Sequence, residues 1–552
     1  MERQTILAVL LSLVVLIGYQ LLIAHLYPPP PPGTPPFPEP TTNPAERTPL
    51  IPQTTEALPP SVDNTVVPSP LTSPPPSVVA SAREFTVETD VYTATLTTLG
   101  GTLKSLRLKQ YPGDDGRDAP PREMIAPGRN GELPLEVRLE GKGIALSDAG
   151  VPYQTSTGST VTVHGEDEKT IEFRGAVSAS TTLTKRLTFT GKGYGITLET
   201  RVENAPAAVS LLSIVWNHVL DPKHAASYVA HGPVALIGRK FHYEIATDLV
   251  TTEKQYGPDN IRWAGYADTY FLSAIIPPEG ATHAVLMSAK DGTVATKLAI
   301  PWNPQPVTYT VYIGPKEFAV LNTVHESLDR SIDFGWSHFI ARPLLSFLNL
   351  LHAMTGNYGI DIILLTVLVK LAFFPLSIKS FKSMAAMQKL QPQMEQLRAQ
   401  YKDDREALNR ETMEMYRRNK INPLGGCLPM LIQLPVFIGL YQALMMAIEL
   451  RQAPFWSWIQ DLSLPDRLGT FVIPFVDPPG VPVLTILMGV TMILQQAMTP
   501  MPGDPIQQKM MMIMPLIFTV MFVNFPAGLV LYWLVNNVLS ISQQYAYNKG
   551  LV

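Results

Sequence analysis

The stretch GIDIILLTVLVKLAFFP, residues 359–375, decides how the rest of this 552-residue chain is organised. Together with the residues that follow, it is long enough to cross the hydrocarbon core of a bilayer, and it places the ammonium group of Lys370 well inside. A charged side chain at that depth costs about 2.5–3.5 kcal/mol on insertion scales, so it calls for a functional explanation. The pattern predicts a membrane span over residues 357–378 whose lysine lines a hydrated cavity.

Two purely structural explanations of Lys370 compete with this hypothesis. In the first, the lysine extends to the nearer membrane surface, but the apolar run ends only at Ile378, about 12 Å further along a helix, which a lysine stem does not comfortably span. In the second, a carboxylate on another span pairs with the lysine, and this alternative stays open. Asp361 on the same helix is excluded, because nine residues place it more than a turn away on the opposite face.

The C-terminal part of the chain has the composition of a membrane domain. Residues 423–552 carry nine charged side chains in 130 positions, whereas ordinary soluble domains carry about a quarter. A charge-free run from Ile6 to Tyr27, followed at once by prolines, predicts an uncleaved signal-anchor over residues 1–27. Within residues 423–548, four apolar runs predict further spans and bring the total to six: 424–450, 483–498, 510–525 and 529–545.

Between the first two predicted spans lie two segments that differ in composition and periodicity. Residues 28–80 contain 19 prolines in 53 positions, which predicts a disordered, semi-rigid linker. Residues 81–330 alternate apolar and polar side chains between glycine, proline and aspartate turns, for example over residues 194–203 after Gly191 and Gly193. This period of two predicts a hairpin at that position and a large antiparallel β-sandwich around it, without a motif for catalysis.

Two helical segments flank the Lys370 span. Residues 331–356 return to helical periodicity with an aromatic-rich apolar stripe, which predicts an amphipathic helix in the membrane interface. An ordinary helix packed on the sandwich is the alternative. Residues 379–422 place apolar side chains at steps of three and four on both sides of a turn, which predicts a helical hairpin kinked at Pro392. Its methionines suit either a core or a contact surface for variable partners.

Charge predicts the orientation and excludes several functions. Residues 378–422 hold ten Lys and Arg, whereas residues 451–482 hold two, so the positive-inside rule predicts a cytoplasmic hairpin and cytoplasmic termini. The formal net charge of −4, without a recognition motif, argues against nucleic-acid binding. A single cysteine excludes an internal disulfide and a cysteine-based metal cluster, and we expect no cofactor.

Polar and aromatic side chains interrupt the predicted spans. Polar groups at such depths normally face the interior of a bundle or water, and each alone is also consistent with a hydrogen bond that joins two helices. Polar groups on four spans, one of them a cation, predict a hydrophilic groove. In addition to Lys370, the residues concerned are Thr366, Gln433, Phe437, Tyr441, Gln495, Gln496, Tyr532, Trp533, Asn536, Asn537 and Ser540.

Residues 333–548 contain several distinctive motifs: NPLGGCLP (422–429), QLPVF (433–437), ELRQAPF (449–455), GVTMIL (489–494), DPIQQK (504–509) and FPAGLVLYW (525–533). Together they specifically resemble the YidC/Oxa/Alb family of membrane-protein insertases. The resemblance is fainter upstream, in YFLSAII (270–276) and YIGP (312–315). Six spans with a large domain between the first two are similar to the Gram-negative form of the family.

The resemblance implies both a fold and a function. In this family a core of five spans forms a groove that is open to the cytoplasm and the lipid and closed to the outside. The groove inserts inner-membrane proteins and helps them fold, alone or beside the Sec translocon, without covalent chemistry. The groove cation of the family is usually arginine, and the matching position is Lys370. Unlike arginine, a buried lysine can lose its proton, so its charge depends on water or on an acidic substrate segment.

Further roles follow from the same resemblance. The positions at which family members contact a nascent span match Leu434, Phe437, Tyr532 and Trp533. The resemblance places the protein in the bacterial inner membrane, with both termini cytoplasmic and the large domain periplasmic. The hairpin is expected to recruit the substrate, the ribosome and signal-recognition machinery through Met384, Met387, Tyr401, Arg417 and Arg418.

Two other classes of function compete with insertion. An intramembrane hydrolase needs a serine close to Lys370, but Ser377 lies about 10 Å along the helix, beyond hydrogen-bond reach. A substrate transporter predicts internally repeated halves, and the spans before and after the hairpin show no repeat. The predicted fold class is therefore an α-helical six-span bundle with a cytoplasmic helical hairpin and a large antiparallel β-sandwich in the periplasm.

Overall fold

A computed structural model of the chain describes residues 82–551 with several internal gaps. The gaps are residues 115, 129, 220–230, 281–282, 402–403, 420–423, 474–475, 477 and 499–504, and the backbone alone is described at 247, 405, 424–432 and 505–510. The predicted signal-anchor (1–27) and the predicted linker (28–80) lie outside the described residues. The described residues belong to one compact unit that begins at Val79.

The first part of this unit is a β-domain in which the described strands form three sheets. The strands are β1 (Glu84–Glu88), β2 (Tyr92–Thr97), β3 (Thr102–Pro112), β4 (Pro121–Glu123), β5 (Glu136–Gly141), β6 (Ile144–Ser147), β7 (Thr160–Thr162), β8 (Glu168–Ala176), β9 (Thr182–Thr190), β10 (Gly195–Glu203), β11 (Val209–Val219), β12 (Gly232–Ile237), β13 (Lys240–Tyr243), β14 (Lys254–Asp259), β15 (Ile261–Ala267), β16 (Phe271–Ile276), β17 (His283–Lys290), β18 (Thr293–Pro301) and β19 (Val307–Pro315).

The sheet orders show a sandwich with an additional small sheet. They are β13-β12-β15-β16-β19-β10-β9-β8, β14-β17-β18-β11-β5-β6 and β4-β3-β2-β1-β7. The eight-stranded and six-stranded sheets pack face to face where β15 meets β18. Among the described strands only β1 and β7 pair in parallel. The prediction of a large antiparallel β-domain is therefore confirmed.

The predicted hairpin at residues 187–203 is present as β9 and β10. Leu187 lies opposite Leu198 and Phe189 opposite Ile196, and all four side chains are buried. The alternating polar positions Thr197 and Arg201 are exposed. Successive side chains of a strand point to opposite faces, so the apolar series packs into the sandwich while the polar series faces solvent.

A fully buried ion pair joins the three sheets. The ammonium group of Lys185 on β9 lies 2.6 Å from the carboxylate of Asp148, which follows β6, and neither side chain is exposed to solvent. The same ammonium donates hydrogen bonds of 2.8 Å to the carbonyl oxygens of Gly100, between β2 and β3, and of Leu135, before β5. Because the cluster draws members from all three sheets, it specifies how the sheets pack together.

The second part of the unit is helical. The described helices of the whole chain are α1 (Ala246–Leu249), α2 (Phe318–Val324), α3 (His338–Thr355), α4 (Tyr358–Ala372), α5 (Phe374–Lys389), α6 (Gln391–Gln400), α7 (Arg405–Arg418), α8 (Leu424–Met446), α9 (Val483–Met498), α10 (Pro505–Phe522) and α11 (Ala527–Asn548), with short 3-10 turns at Glu326–Ser331, Gly335–Ser337 and Ile448–Leu450. In the bundle, α11 packs against α4 and α9, and α8 packs against α3 and α5.

The predicted span over residues 357–378 is bent in the structure. Helix α4 ends at Ala372, and α5 begins at Phe374 with a bend of 62° between them. Pro375 explains the break, because proline has no N–H for the preceding turn and its ring clashes with the carbonyl four residues earlier. Among the described residues no single helix has both the length and the hydropathy of a full crossing, whereas α4 and α5 have them together. The six spans stay a prediction.

The helices around this bend differ from the predicted boundaries. Helix α3 covers His338–Thr355 and buries Ala341, Leu345 and Leu348 toward α8 and α4, so its packing partners are helices and not only the sandwich. The hairpin is predicted to begin at residue 379, but no helix begins there, because α5 runs through Ile378 to Lys389. The chain then breaks at Leu390, two residues before Pro392, and continues as α6 and α7.

Candidate functional site

Helix α11 brings the polar side chains of the bundle together, and its contact with Lys370 is the centre of the site. Lys370 is 8% exposed, and its ammonium group donates a hydrogen bond of 2.7 Å to the hydroxyl oxygen of Ser540. That hydroxyl in turn donates to the carbonyl oxygen of Asn536, at 2.8 Å, within α11. The hydrogen-bond acceptor of the lysine is therefore a neutral hydroxyl, which already donates its own proton to a backbone carbonyl.

Two further hydrogen bonds tie α11 to its neighbours. The Gln433 amide on α8 donates to the side-chain oxygen of Asn536 at 2.8 Å. The Asn537 amide donates to the hydroxyl of Thr491 on α9 at 3.3 Å. Adjacent residues on a helix do not share a face, so Asn536 and Asn537 reach different neighbouring helices. Thus Asn536, Asn537 and Ser540 connect α11 to α8, α9 and α4 respectively.

No carboxylate holds Lys370 in place among the described side chains. The carboxylate of Asp361, at the other end of α4, is fully buried and accepts hydrogen bonds from His352, at 3.0 Å, and from Thr355. This disposition agrees with the exclusion of Asp361 as a partner of the lysine. The open alternative of a structural ion pair on another span finds no support in the described part of the chain.

Two further predicted groove residues lie on α4 and α9. Thr366 lies one turn before Lys370 and is buried, but its hydroxyl donates to the carbonyl oxygen of Ile362 in its own helix, at 2.6 Å. Gln495 lies half-buried on α9. Thr366 therefore adds a small polar surface, and its hydroxyl is not a ligand of the ammonium group.

The predicted contact positions for a nascent span form an aromatic cluster. The ring of Phe437 on α8 lies 4.7 Å from that of Trp533, edge to face, and 6.2 Å from that of Tyr532. Trp533 also lies 5.0 Å from the ring of Phe522 on α10. Tyr532 is buried, whereas Leu434, one turn before Phe437, is half exposed. The cluster is packed on one side and presents an apolar edge on the other.

The predicted recruitment residues do not share one surface. Met387 on α5 is buried, while Met384 and Tyr401 are partly exposed. Arg417 and Arg418 at the end of α7 are exposed, and Arg418 pairs with Glu414 one turn earlier, at 2.6 Å. Burial of Met387 favours the alternative in which the methionines fill a core. The two arginines are the most exposed members of this set.

Sequence reasoning placed Ser540 on the correct face of its helix but did not identify it as the partner of Lys370. It also missed Thr491, because a threonine within an apolar run is a weak signal. The periodicity of Trp533, Asn537 and Ser540 indicated a polar face, yet the choice of partner depends on how α11 is rotated against α4. That rotation is set by packing and is not visible in the local pattern.

The segment after α8 joins the helices to the β-domain. The guanidinium of Arg451, whose side chain is 7% exposed, donates to the carbonyl oxygen of Pro112 at 2.8 Å and to the carboxylate of Asp114 at 3.0 Å. It also lies 5.5 Å from the centre of the Phe271 ring. Burial alone would raise the pKa of Asp114, but Arg122 and Arg451 hold it below its usual value. The ionised pair therefore persists above about pH 4 and weakens only in stronger acid.

Arg451→Ala is expected to loosen this joint without unfolding the β-domain. The substitution removes two hydrogen bonds from a charged donor, each worth about 1.5–3 kcal/mol. Faster amide hydrogen exchange in the segment between β3 and β4 of the full chain is the expected readout. Arg201→Ala, at an exposed strand position, is the matched control. Unchanged exchange in the Arg451 variant would show that the joint does not restrain the segment.

Comparison with known proteins supplies the family. The model described as "60Kd inner membrane protein" matches residues 350–552, and that described as "YidC periplasmic domain" matches residues 84–347. A "Membrane protein insertase YidC" from Citrifermentans bemidjiense is 41% identical over the full length of both chains. The chain belongs to the YidC family of membrane protein insertases.

A relative with the same description from Syntrophus aciditrophicus is 39% identical, again over the full length of both chains. A crystal structure described as an active YidC insertase with its first transmembrane domain resolved is 18% identical, with a TM-score of 0.35, and covers 84% of this chain and 92% of its own.

Membership of this family confirms the main functional prediction. The protein is an inner-membrane insertase with a periplasmic domain, its substrates are nascent membrane proteins, and its surroundings are lipid. Its function is insertion and not an enzymatic reaction. The geometry of the Lys370–Ser540 pair agrees with this assignment. A serine nucleophile gives its proton to a base, whereas Ser540 donates to a backbone carbonyl and accepts from the lysine.

Proposed function

We propose that Lys370 and the polar side chains joined through α11 line a hydrophilic groove that lowers the cost of moving polar polypeptide into the membrane. One observation carries this proposal. The lysine ammonium is almost buried in an apolar helix and rests on a neutral hydroxyl and not on a carboxylate. A buried charge without a counter-charge is stable only beside water or an incoming anion.

The mechanism follows from solvation. A polar or acidic tail that enters hydrocarbon unaided loses its water and leaves its hydrogen-bonding groups unpaired, which costs several kcal/mol per group. A wet groove that reaches partway across shortens the dry distance. The ammonium group of Lys370 attracts the carboxylates of the tail, while Gln433 and Asn537 offer neutral hydrogen-bonding groups near its path.

The aromatic cluster is the proposed exit toward lipid. An apolar nascent helix needs a smooth surface along which it can slide without displacing a hydrogen-bonded network. Phe437 and Trp533 supply such a surface, the buried Tyr532 packs behind Phe437, and the half-exposed Leu434 extends the surface outward. In this scheme the polar tail passes along Lys370 in the groove. The apolar segment passes along the aromatic cluster into the bilayer.

The proposed arrangement has six spans, both termini and the helical hairpin in the cytoplasm, and the β-domain outside. Ten Lys and Arg in residues 378–422 support this orientation through the positive-inside rule. The exposed Arg417 and Arg418 are the proposed first contacts of substrates or ribosomes, with the signal-recognition machinery as a further partner. The protein would act alone or beside the Sec translocon.

Reconstitution tests the groove directly. The full chain in liposomes is expected to insert a single-span protein with a short acidic tail, and protein-free liposomes are not. A matched substrate whose tail carboxylates are replaced by amides should depend less on the insertase, because its tail costs less to dehydrate. Equal insertion of the acidic-tailed substrate with and without the protein would contradict the proposal.

Deletion of the β-domain is expected to harm insertion less than deletion of the hairpin. The described residues between 82 and 330 contribute no side chain to the polar contacts around Lys370, whereas residues 384–419 include the end of α5, which continues from the lysine helix. Growth of a bacterium depleted of its own insertase measures both variants, with membrane levels of each chain as the control. The reverse order would mean that the β-domain holds the working surface.

A further inference from the structure

The connection between α8 and α9 carries an exposed apolar tip to which the groove assigns no role. Residues 470–473, which we call the Phe471 tip, include Phe471, 69% exposed, and Val472, 86% exposed. No charged residue occurs from Leu468 to Val476. Two large apolar side chains at such exposure, next to each other in a loop, are unusual on a surface that faces only water.

The tip has a closed and defined base. Leu468 and Val481 exchange both backbone hydrogen bonds at 3.0 Å, and the N–H of Gly480 donates to the carbonyl oxygen of Phe471 at 2.8 Å. Gly480 has φ +141°, and a Cβ there would lie 2.8 Å from the carbonyl oxygen of Gly469, so this closure requires glycine. The tip is therefore held outward by its base.

The base is attached to the ends of two lipid-facing helices. The guanidinium of Arg467 donates to the carbonyl oxygen of Val523 at 3.0 Å and to the side-chain oxygen of Asn524 at 2.8 Å, in the turn between α10 and α11. The carboxylate of Asp466 accepts the N–H of Leu484 at 2.7 Å, at the start of α9. These contacts place the base of the tip beside the first turn of α9 and the end of α10.

The contact between this connection and the β-domain indicates on which side of the membrane the connection lies. Gln452, in the same connection, donates to the carbonyl oxygen of Gly113 at 2.6 Å, and its own carbonyl oxygen accepts from Arg117 at 2.7 Å. Gly113 and Arg117 belong to the β-domain, which is periplasmic in this family. The connection that begins at this joint therefore lies at the periplasmic ends of its helices.

We propose that the Phe471 tip inserts into the interfacial region of the outer lipid leaflet. The occupant is lipid because the base of the tip adjoins helices of an inner-membrane protein whose exposed side chains are apolar. Tryptophan favours the same interface, and Trp456 in this connection is 78% exposed. The exposed apolar side chains on the adjoining turns of α9 and α10 are Ile486, Leu487, Val490, Val520 and Met521.

Spin labels on the full chain in liposomes test the insertion. In a background with Cys427→Ala, a nitroxide is attached to F471C, to V472C, or to S180C as the control at an exposed turn of the β-domain. The liposomes contain phosphatidylethanolamine and phosphatidylglycerol and no other protein. Power saturation then compares the accessibility of each label to oxygen, which partitions into lipid, and to a water-soluble nickel complex.

The labels on F471C and V472C are expected to be more accessible to oxygen than to the nickel complex, and the label on S180C the reverse. If the F471C and V472C labels are as accessible to nickel as the S180C label, the tip lies in water and the proposal is wrong. Low accessibility to both reagents would show that the tip packs against protein, which also overturns it. The readout does not require insertion activity, so it is independent of the groove.

Discussion

Replacing Lys370 with glutamate is expected to abolish insertion of acidic-tailed substrates, whereas replacement with arginine is expected to preserve it. The ammonium group of Lys370 and a tail carboxylate about 4 Å away attract each other by about 4 kcal/mol at an effective dielectric constant of about 20. Reversing the sign turns this attraction into a repulsion of similar size, so insertion should fall by roughly a thousandfold or more. Rescue of growth in an insertase-depleted bacterium and insertion into liposomes measure the effect.

Two matched variants separate charge from geometry at this position. Lys370→Met keeps an unbranched side chain of similar length without the charge, so its activity should lie between those of the arginine and glutamate variants. Ser540→Ala removes only the neutral hydrogen-bond partner, worth about 0.5–1.5 kcal/mol, and should reduce insertion by about tenfold at most. Equal rescue by arginine and glutamate at Lys370 would remove the argument from charge.

Lys185→Met is expected to destabilise the β-domain by about 3–5 kcal/mol, because it leaves the fully buried Asp148 carboxylate without its counter-charge. Asp148 would then keep only its hydrogen bonds from the N–H of Val137 and the hydroxyl of Tyr153. Urea unfolding of the full chain in detergent, followed by hydrogen exchange at β5 and β9, measures the loss. Lys297→Met breaks a partly exposed pair with Glu140 and should cost about 1 kcal/mol or less.

The pH dependence of this variant provides a second check. Burial raises the pKa of Asp148, and Lys185 opposes that effect. Once the lysine is removed, the folded pKa lies further above the unfolded value of about 4. Stability of the variant should therefore fall as the pH rises from about 4 through the folded pKa. Combining Lys185→Met with Asp148→Leu should recover most of the loss, and failure to do so would locate the damage in packing.

The sequence predicted the β-domain and the apolar helices well because both depend on local periodicity. Alternation over residues 194–203 sufficed for the β9–β10 hairpin, including which side chains are buried. The bend after Ala372 was missed although Pro375 is visible, because hydropathy alone continues through it. Met387 illustrates the same limit, since a helical stripe indicates a buried face without indicating which element covers it.

By itself, the sequence determined that a cation lies within an apolar run, that a β-domain precedes it, and that the chain belongs to an insertase family. Only the tertiary structure decided that Lys370 meets Ser540, 170 positions away, and that Lys185 meets Asp148 at the junction of three sheets. The physical reason is that periodicity and composition report the surroundings of each residue within a few turns of chain. Partner choice depends on the register and rotation of distant elements, which the packing of the whole core decides.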